Sequence, residues 1–177
     1  MRRVVAVLAL AAACGACKGK QTQELSSNLA AENKVTVRPV TLFYQGVDML
    51  LGTEQRSVAL PENPAAAMPV VVRELIKPPA SLAHARSFPA DTVVRAAYLL
   101  PDGTAFVDLG GATLTQGWGT GSHEELIAVY AVVETVTANF PEAKRVRILV
   151  NGELAETLAG HVNIARSLAP MPSLVAR

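Results

Sequence analysis

Beyond position 17 the chain contains no cysteine. Its globular part therefore has no disulfide framework, no thiolate nucleophile and no cysteine metal ligand. Paired histidines are missing as well. His84, His123 and His161 are isolated, with no H-x-x-x-H or H-x-x-E-H spacing, so no metal and no cofactor is expected. There is no excess charge of one sign. The formal net charge of +1 argues against bulk nucleic-acid binding, which needs a basic surface.

What is present begins with an export signal. Arg2 and Arg3 precede the apolar run Val4–Leu10, which is too short to span a bilayer. Ala11, Ala12 and Ala13 then lead to Cys14. A cysteine directly after small residues resembles a bacterial lipoprotein cleavage site. On that reading residues 1–13 are removed and Cys14 carries lipid, palmitate included, as a membrane anchor. Leu10 stands four positions before Cys14, one further than the usual pattern. Cys17 is a second candidate, and an ordinary cleaved signal is the alternative. Cleavage removes two arginines and no acid, taking the net charge from +1 to −1. Residues 14–34 are polar and read as a flexible tether.

The 177 residues, half of them apolar, fit one domain with one core. Val35–Tyr44 is β-rich, with Pro39 restricting its early part to an edge or a break. Residues 45–52 read as a loop and 56–60 as a short returning strand. Asn63 and Pro64 cap a helix running to Pro78, with Pro69 inside it; a later start near Met68 is the alternative. Val72, Leu75 and Ile76 share its apolar face, extended by Ala65 and Met68. Val93–Leu100, the turn Pro101-Asp102-Gly103 and Thr104–Leu109 form a hairpin. Ser122 and Glu125 read as a capping box for a helix over 122–139. Its stripe is Leu126, Val129, Tyr130, Val133, Val136 and Phe140. Val146–Val150 is a strand stopped by Asn151-Gly152, and 169–177 reads as a frayed tail.

In this order and spacing, residues 40–168 resemble the GerMN domain of spore-germination and sporulation proteins and of many envelope lipoproteins. The likeness is carried by Thr41-Leu42-Phe43-Tyr44, Arg73-Glu74-Leu75-Ile76, Phe88–Val94, Asp102–Leu109, Gly121-Ser122 with Glu125, and Glu134–Thr137. Val146–Gly152 and Thr157–Val162 complete it. Lys77-Pro78 replaces a usual Gly-Pro, and Gly110 a frequent serine. The resemblance implies an α/β (α+β two-layer) domain over 35–168, βαββαβ-like, with a mixed sheet and two helices packed on one face. It also implies a place outside the cytoplasm and supplies no catalytic residues.

If both helices cover one face of the sheet, the other is open. Alternation puts Thr104, Phe106 and Asp108 there, with Arg95, Arg147 and Leu149. Arginine mixed with large apolar side chains suits docking. Trp118, on the turn Gly117–Ser122, is a further contact or a lid over the core. That turn lacks the lysine of a P-loop, and Glu124 and Glu125 would repel an anion there. Asp108, Glu124 and Glu125 do not converge as a catalytic pair. The reading is a non-catalytic, lipid-anchored module for an envelope protein or cell-wall component, in envelope assembly or sporulation and germination. A peptidoglycan-acting enzyme or accessory and a periplasmic small-ligand binder are the alternatives.

Overall fold

A computed structural model describes residues 34–116, 118 and 121–177. The expected signal, Cys14, Cys17 and most of the tether lie outside the described residues. So do Gly117, Gly119 and Thr120 of the glycine-rich turn. Residues 35–177 form a unit of their own.

Strands β1 (Val35–Gly46) and β2 (Leu51–Pro61) pair antiparallel without a break in register. The turn between them is tighter than the sequence suggested, and β2 is longer. The Gly46 N–H donates to the Leu50 carbonyl at 2.7 Å, and Met49 takes a φ of 65°. Pro39 sits inside β1 without ending it. Thr41 and Phe43 turn their N–H groups away from β2, and alternation puts the missing N–H of Pro39 on that same side. No ladder bond is lost there.

Helix α1 (Pro64–Ile76) starts where Asn63 caps it: the Asn63 side chain accepts the Ala65 N–H at 2.9 Å. Ala67, Met68, Val71, Val72, Leu75 and Ile76 are buried. Ala65, expected on this face, is exposed, and Ala67 takes its place. β3 (His84–Ala85) adds to β1. β4 (Val93–Leu99) and β5 (Thr104–Gly110) follow as a hairpin, with Gly103 at φ 81°. A short α2 (Ala112–Gln116) leads to α3 (Ser122–Asn139). β6 (Arg145–Val150) lies parallel to β5. Asn151 and Gly152, at φ 54° and 85°, turn the chain into β7 (Glu153–Leu154), the backbone signs that an Asn-Gly hairpin turn requires.

The strands form two sheets, ordered β2-β1-β3 and β4-β5-β6-β7. The second is mixed, antiparallel at β4–β5 and parallel at β5–β6. α1 packs against β4, β2 and β1, and α3 against β1 and β6. This is the mixed α/β architecture expected, with its strands shared between two hydrogen-bonded sheets.

α3 departs from the one-sided stripe. Residues 127–136 are all buried, which is the state of a helix enclosed on every side. The capping box does not form either. Gly121 is the N-cap without a side-chain bond, and Glu125 is engaged elsewhere. Nor is the C-terminal tail frayed. Val146 and Leu168 exchange two backbone bonds of 2.8 Å, the Met171 N–H donates to Glu134 Oε1 at 2.6 Å, and the Ala176 N–H to the Leu51 carbonyl at 2.9 Å.

Two polar side chains of α3, the buried Thr135 and the half-buried Asn139, close the exposed edge of β1. Asn139 Oδ1 accepts the Thr41 N–H at 3.0 Å, while its Nδ2 donates to the Thr41 carbonyl at 2.7 Å. Thr135 Oγ1 accepts the Phe43 N–H at 3.1 Å. Together they imitate a neighbouring strand. Removing Asn139 strands both backbone groups of Thr41, so Asn139→Ala should cost about 2–3 kcal/mol in urea unfolding and Thr135→Val about 1–2 kcal/mol. A change below about 0.5 kcal/mol for Asn139→Ala, the range of a neutral surface substitution, would contradict this edge closure.

Candidate functional site

The outer face of the β4–β7 sheet is built in cross-strand rows. Tyr98 lies opposite Phe106, and Phe106 opposite Arg147. The rings of Tyr98 and Phe106 stack at 5.1 Å between centroids and 4° between planes. The next row holds Ala96, Asp108, Leu149 and Leu154. Leu154 is 66% exposed and Tyr98 41%; Phe106, Arg147 and Leu149 are half-buried.

Two arginines lie across this face as covers. A bulge between Val94 and Ala96 re-aims Arg95, whose Nε donates to Asp108 Oδ2 at 3.1 Å. At the turn end, Arg145 Nε donates to Thr104 Oγ1 at 2.8 Å and its Nη2 to Asp102 Oδ2 at 2.9 Å. Thr104 and Asp108, expected to be open, are buried beneath them. Arg147 has no ion pair among the described residues, and it adjoins the aromatic pair.

Four of the five docking residues expected from sequence therefore share one face. Trp118 does not join them. It packs on the core and lines a shallow groove with Arg86, Ser87, Phe88, Asp91 and Thr113. Tyr98 was missed, although pairing across a turn centred on Asp102 sets it opposite Phe106.

The acids are committed to holding backbone. Asp108 Oδ1 accepts the Gly152 N–H at 2.8 Å. Glu125, fully buried, accepts N–H groups from Leu158, Ala159 and His161 at 2.7–2.9 Å, with His161 Nδ1 3.0 Å away. Burial pushes its pKa up, but the backbone donors of Ala159, His161, Val162 and Leu158 outweigh burial and hold it below the usual carboxylate range.

A second polar cluster, absent from the sequence reading, braces the chain after α1. Glu54 accepts the N–H groups of Ala80 and Ser81 at 2.9 and 3.1 Å and pairs with Arg56 at 2.7 Å. The Arg56 guanidinium reaches the Pro78 carbonyl and lies over the Tyr44 ring. Burial pushes the Tyr44 hydroxyl up to about 12, so it stays a donor, to the carbonyls of Glu74 and Lys77.

Residues 41–156 match the family model Germane, described as sporulation and spore germination. The chain belongs to the Germane family. Among solved structures, this Germane domain is similar to the first GerMN domain of the sporulation protein GerM from Bacillus subtilis. Identity is 19% and the TM-score 0.57, over 75% of this chain and 97% of that one. The tandem GerMN domains of the same protein match at 19% identity and TM-score 0.58, over 75% and 46%. A "putative lipoprotein" from Clostridium perfringens matches at 17% and 0.54, over 79% and 92%. At these identities the likeness is one of fold. No curated protein matches the chain.

The lowered pKa of Glu125 gives a signed expectation for the Germane domain. Its contribution is present above the unfolded carboxylate pKa and is lost as pH falls through the lower folded value. Glu125→Gln should cost about 2–3 kcal/mol at neutral pH. The gap from the native chain should narrow below about pH 4. A gap independent of pH in urea titrations would contradict the carboxylate's role.

Proposed function

We propose that this Germane-family chain is a non-catalytic docking module held outside the cytoplasm by lipid on Cys14, with an envelope protein or cell-wall component as its partner. One observation carries the reading. The stacked Tyr98–Phe106 pair and Arg147, without an ion pair among the described residues, lie side by side on an outer sheet face, between two arginines already held by Asp108 and Asp102. A flat aromatic surface with one available guanidinium is the make-up of an interface centre. The commitment of Asp108 and Glu125 to backbone N–H groups supports holding rather than hydrolysis. The family's description as sporulation and spore germination and the likeness to a "putative lipoprotein" support an envelope setting.

The test is crosslinking of the full chain in envelope membranes, with the mass at Cys14 read in the same preparation. The expected result is a diacylglyceryl mass on Cys14 and a partner captured by the native chain. Phe106→Ser with Arg147→Glu should lose that partner while stability changes by only about 1 kcal/mol. Undiminished capture by the double variant would remove the docking face. An unmodified N-terminus after residue 13 would remove the anchor.

A further inference from the structure

Outer strands are normally guarded by proline, lysine, inward-pointing charges, a bulge or a covering loop. From Thr53 to Ala59 β2 has no proline, lysine or bulge, and its two inward charges, Glu54 and Arg56, pair with each other. Thr41 and Phe43 give their N–H groups to α3, so Val40, Leu42 and Tyr44 bond to β2, opposite Arg56, Glu54 and Gly52. Alternation then points the backbone groups of Leu51, Thr53, Gln55, Ser57 and Ala59 outward. Leu51 is covered, since its carbonyl accepts the Ala176 N–H. The other four have no backbone partner on that side among the described residues. Their side chains are uncharged and exposed, and the register has no bulge.

We propose that β2 of one copy pairs antiparallel with β2 of a second copy about a two-fold axis at Gln55. The two three-stranded sheets become one sheet of order β3-β1-β2-β2-β1-β3. Charge selects both the occupant and the register. The outward backbone groups belong to odd-numbered residues, so odd must face odd. With the axis at Gln55, Glu54 stands opposite Arg56 of the second copy, twice over, and Thr53 opposite Ser57. An axis at Glu54 sets that carboxylate against itself, and one at Arg56 does the same to the guanidinium. An axis at Ser57 places Arg56 against Val58 and forms no charge pair. Within each copy Glu54 and Arg56 already pair with each other at 2.7 Å and are only 10% and 17% exposed. The axis at Gln55 therefore sets two ion pairs head to tail, each carboxylate opposite a guanidinium, where the sign of the facing charge counts for more than at an open surface. Val175 and Ala176 occupy the Leu51 end and confine the pairing to Thr53–Ser57. The contact is therefore small, and the dimer concentration-dependent.

The test uses the full chain with Cys14 and Cys17 changed to serine. Facing residues in such a pair are within disulfide reach. Gln55→Cys should form a crosslinked dimer under mild oxidation, well above the yield of Ala66→Cys on the exposed face of α1, and Ser57→Cys should not. In sedimentation the dimer fraction should rise with concentration. Gln55→Lys, which sets two ammonium groups across the axis, should abolish it without moving the melting temperature. A monomer at every concentration, or no excess crosslinking at position 55, overturns the pairing. Preferential crosslinking at position 57 overturns the register.

Discussion

The fold depends on how an apolar helix enclosed on all sides satisfies the backbone around it. α3 has no solvent-facing surface along its middle turns, so the segments packed on it are withdrawn from water too. Buried backbone groups without partners are costly. α3 meets that cost with four polar side chains: Thr135 and Asn139 for the edge of β1, Glu134 for Met171, and Glu125 for residues 158–161. Each replaces a hydrogen bond that a neighbouring strand would otherwise give. This leaves the tail bound along the helix, with its backbone links to Leu51, Val146, Glu125 and Glu134. The outer row of Tyr98, Phe106 and Arg147 is not among them.

Much of this was legible in the residues. Turn chemistry at Pro101-Asp102-Gly103, the Asn63-Pro64 cap and the Asn151-Gly152 stop each have a local cause, and each stands where the sequence placed it. What was not legible depends on partners far along the chain. Ser122 and Glu125 have capping-box spacing, but the N–H groups that claim Glu125 lie 33–36 residues away. The apolar run from Leu126 to Val133 was read as a stripe because four of the six stripe residues, Leu126, Val129, Tyr130 and Val133, stand in it at helical spacing. Its lack of polar interruption was the better signal, since a helix apolar all round must be covered all round. The tail looked frayed for the same reason: the bonds that fix it to the domain go to Glu134 and Leu51.

The docking face shows the same division. Strict alternation along β5 put Phe106 and Asp108 on one side, and the structure keeps them there. Alternation cannot say what lies across the strand. The bulge at Arg95 turns a predicted docking residue into a cover for Asp108, and the pairing of β4 with β5 supplies Tyr98. Trp118, read as a partner contact or a lid over the core, packs on the core beside Phe88 and Asp91, apart from this face.

Residue-resolved amide hydrogen exchange tests the role of α3 most directly. If its polar side chains are the partners of these edges, the amides of Thr41, Phe43, Leu158, Ala159, His161 and Met171 should open only with the global unfolding of the domain, as slowly as the amides of β5. Exchange at those six positions near the rate of an unprotected peptide, with β5 still protected, would contradict it.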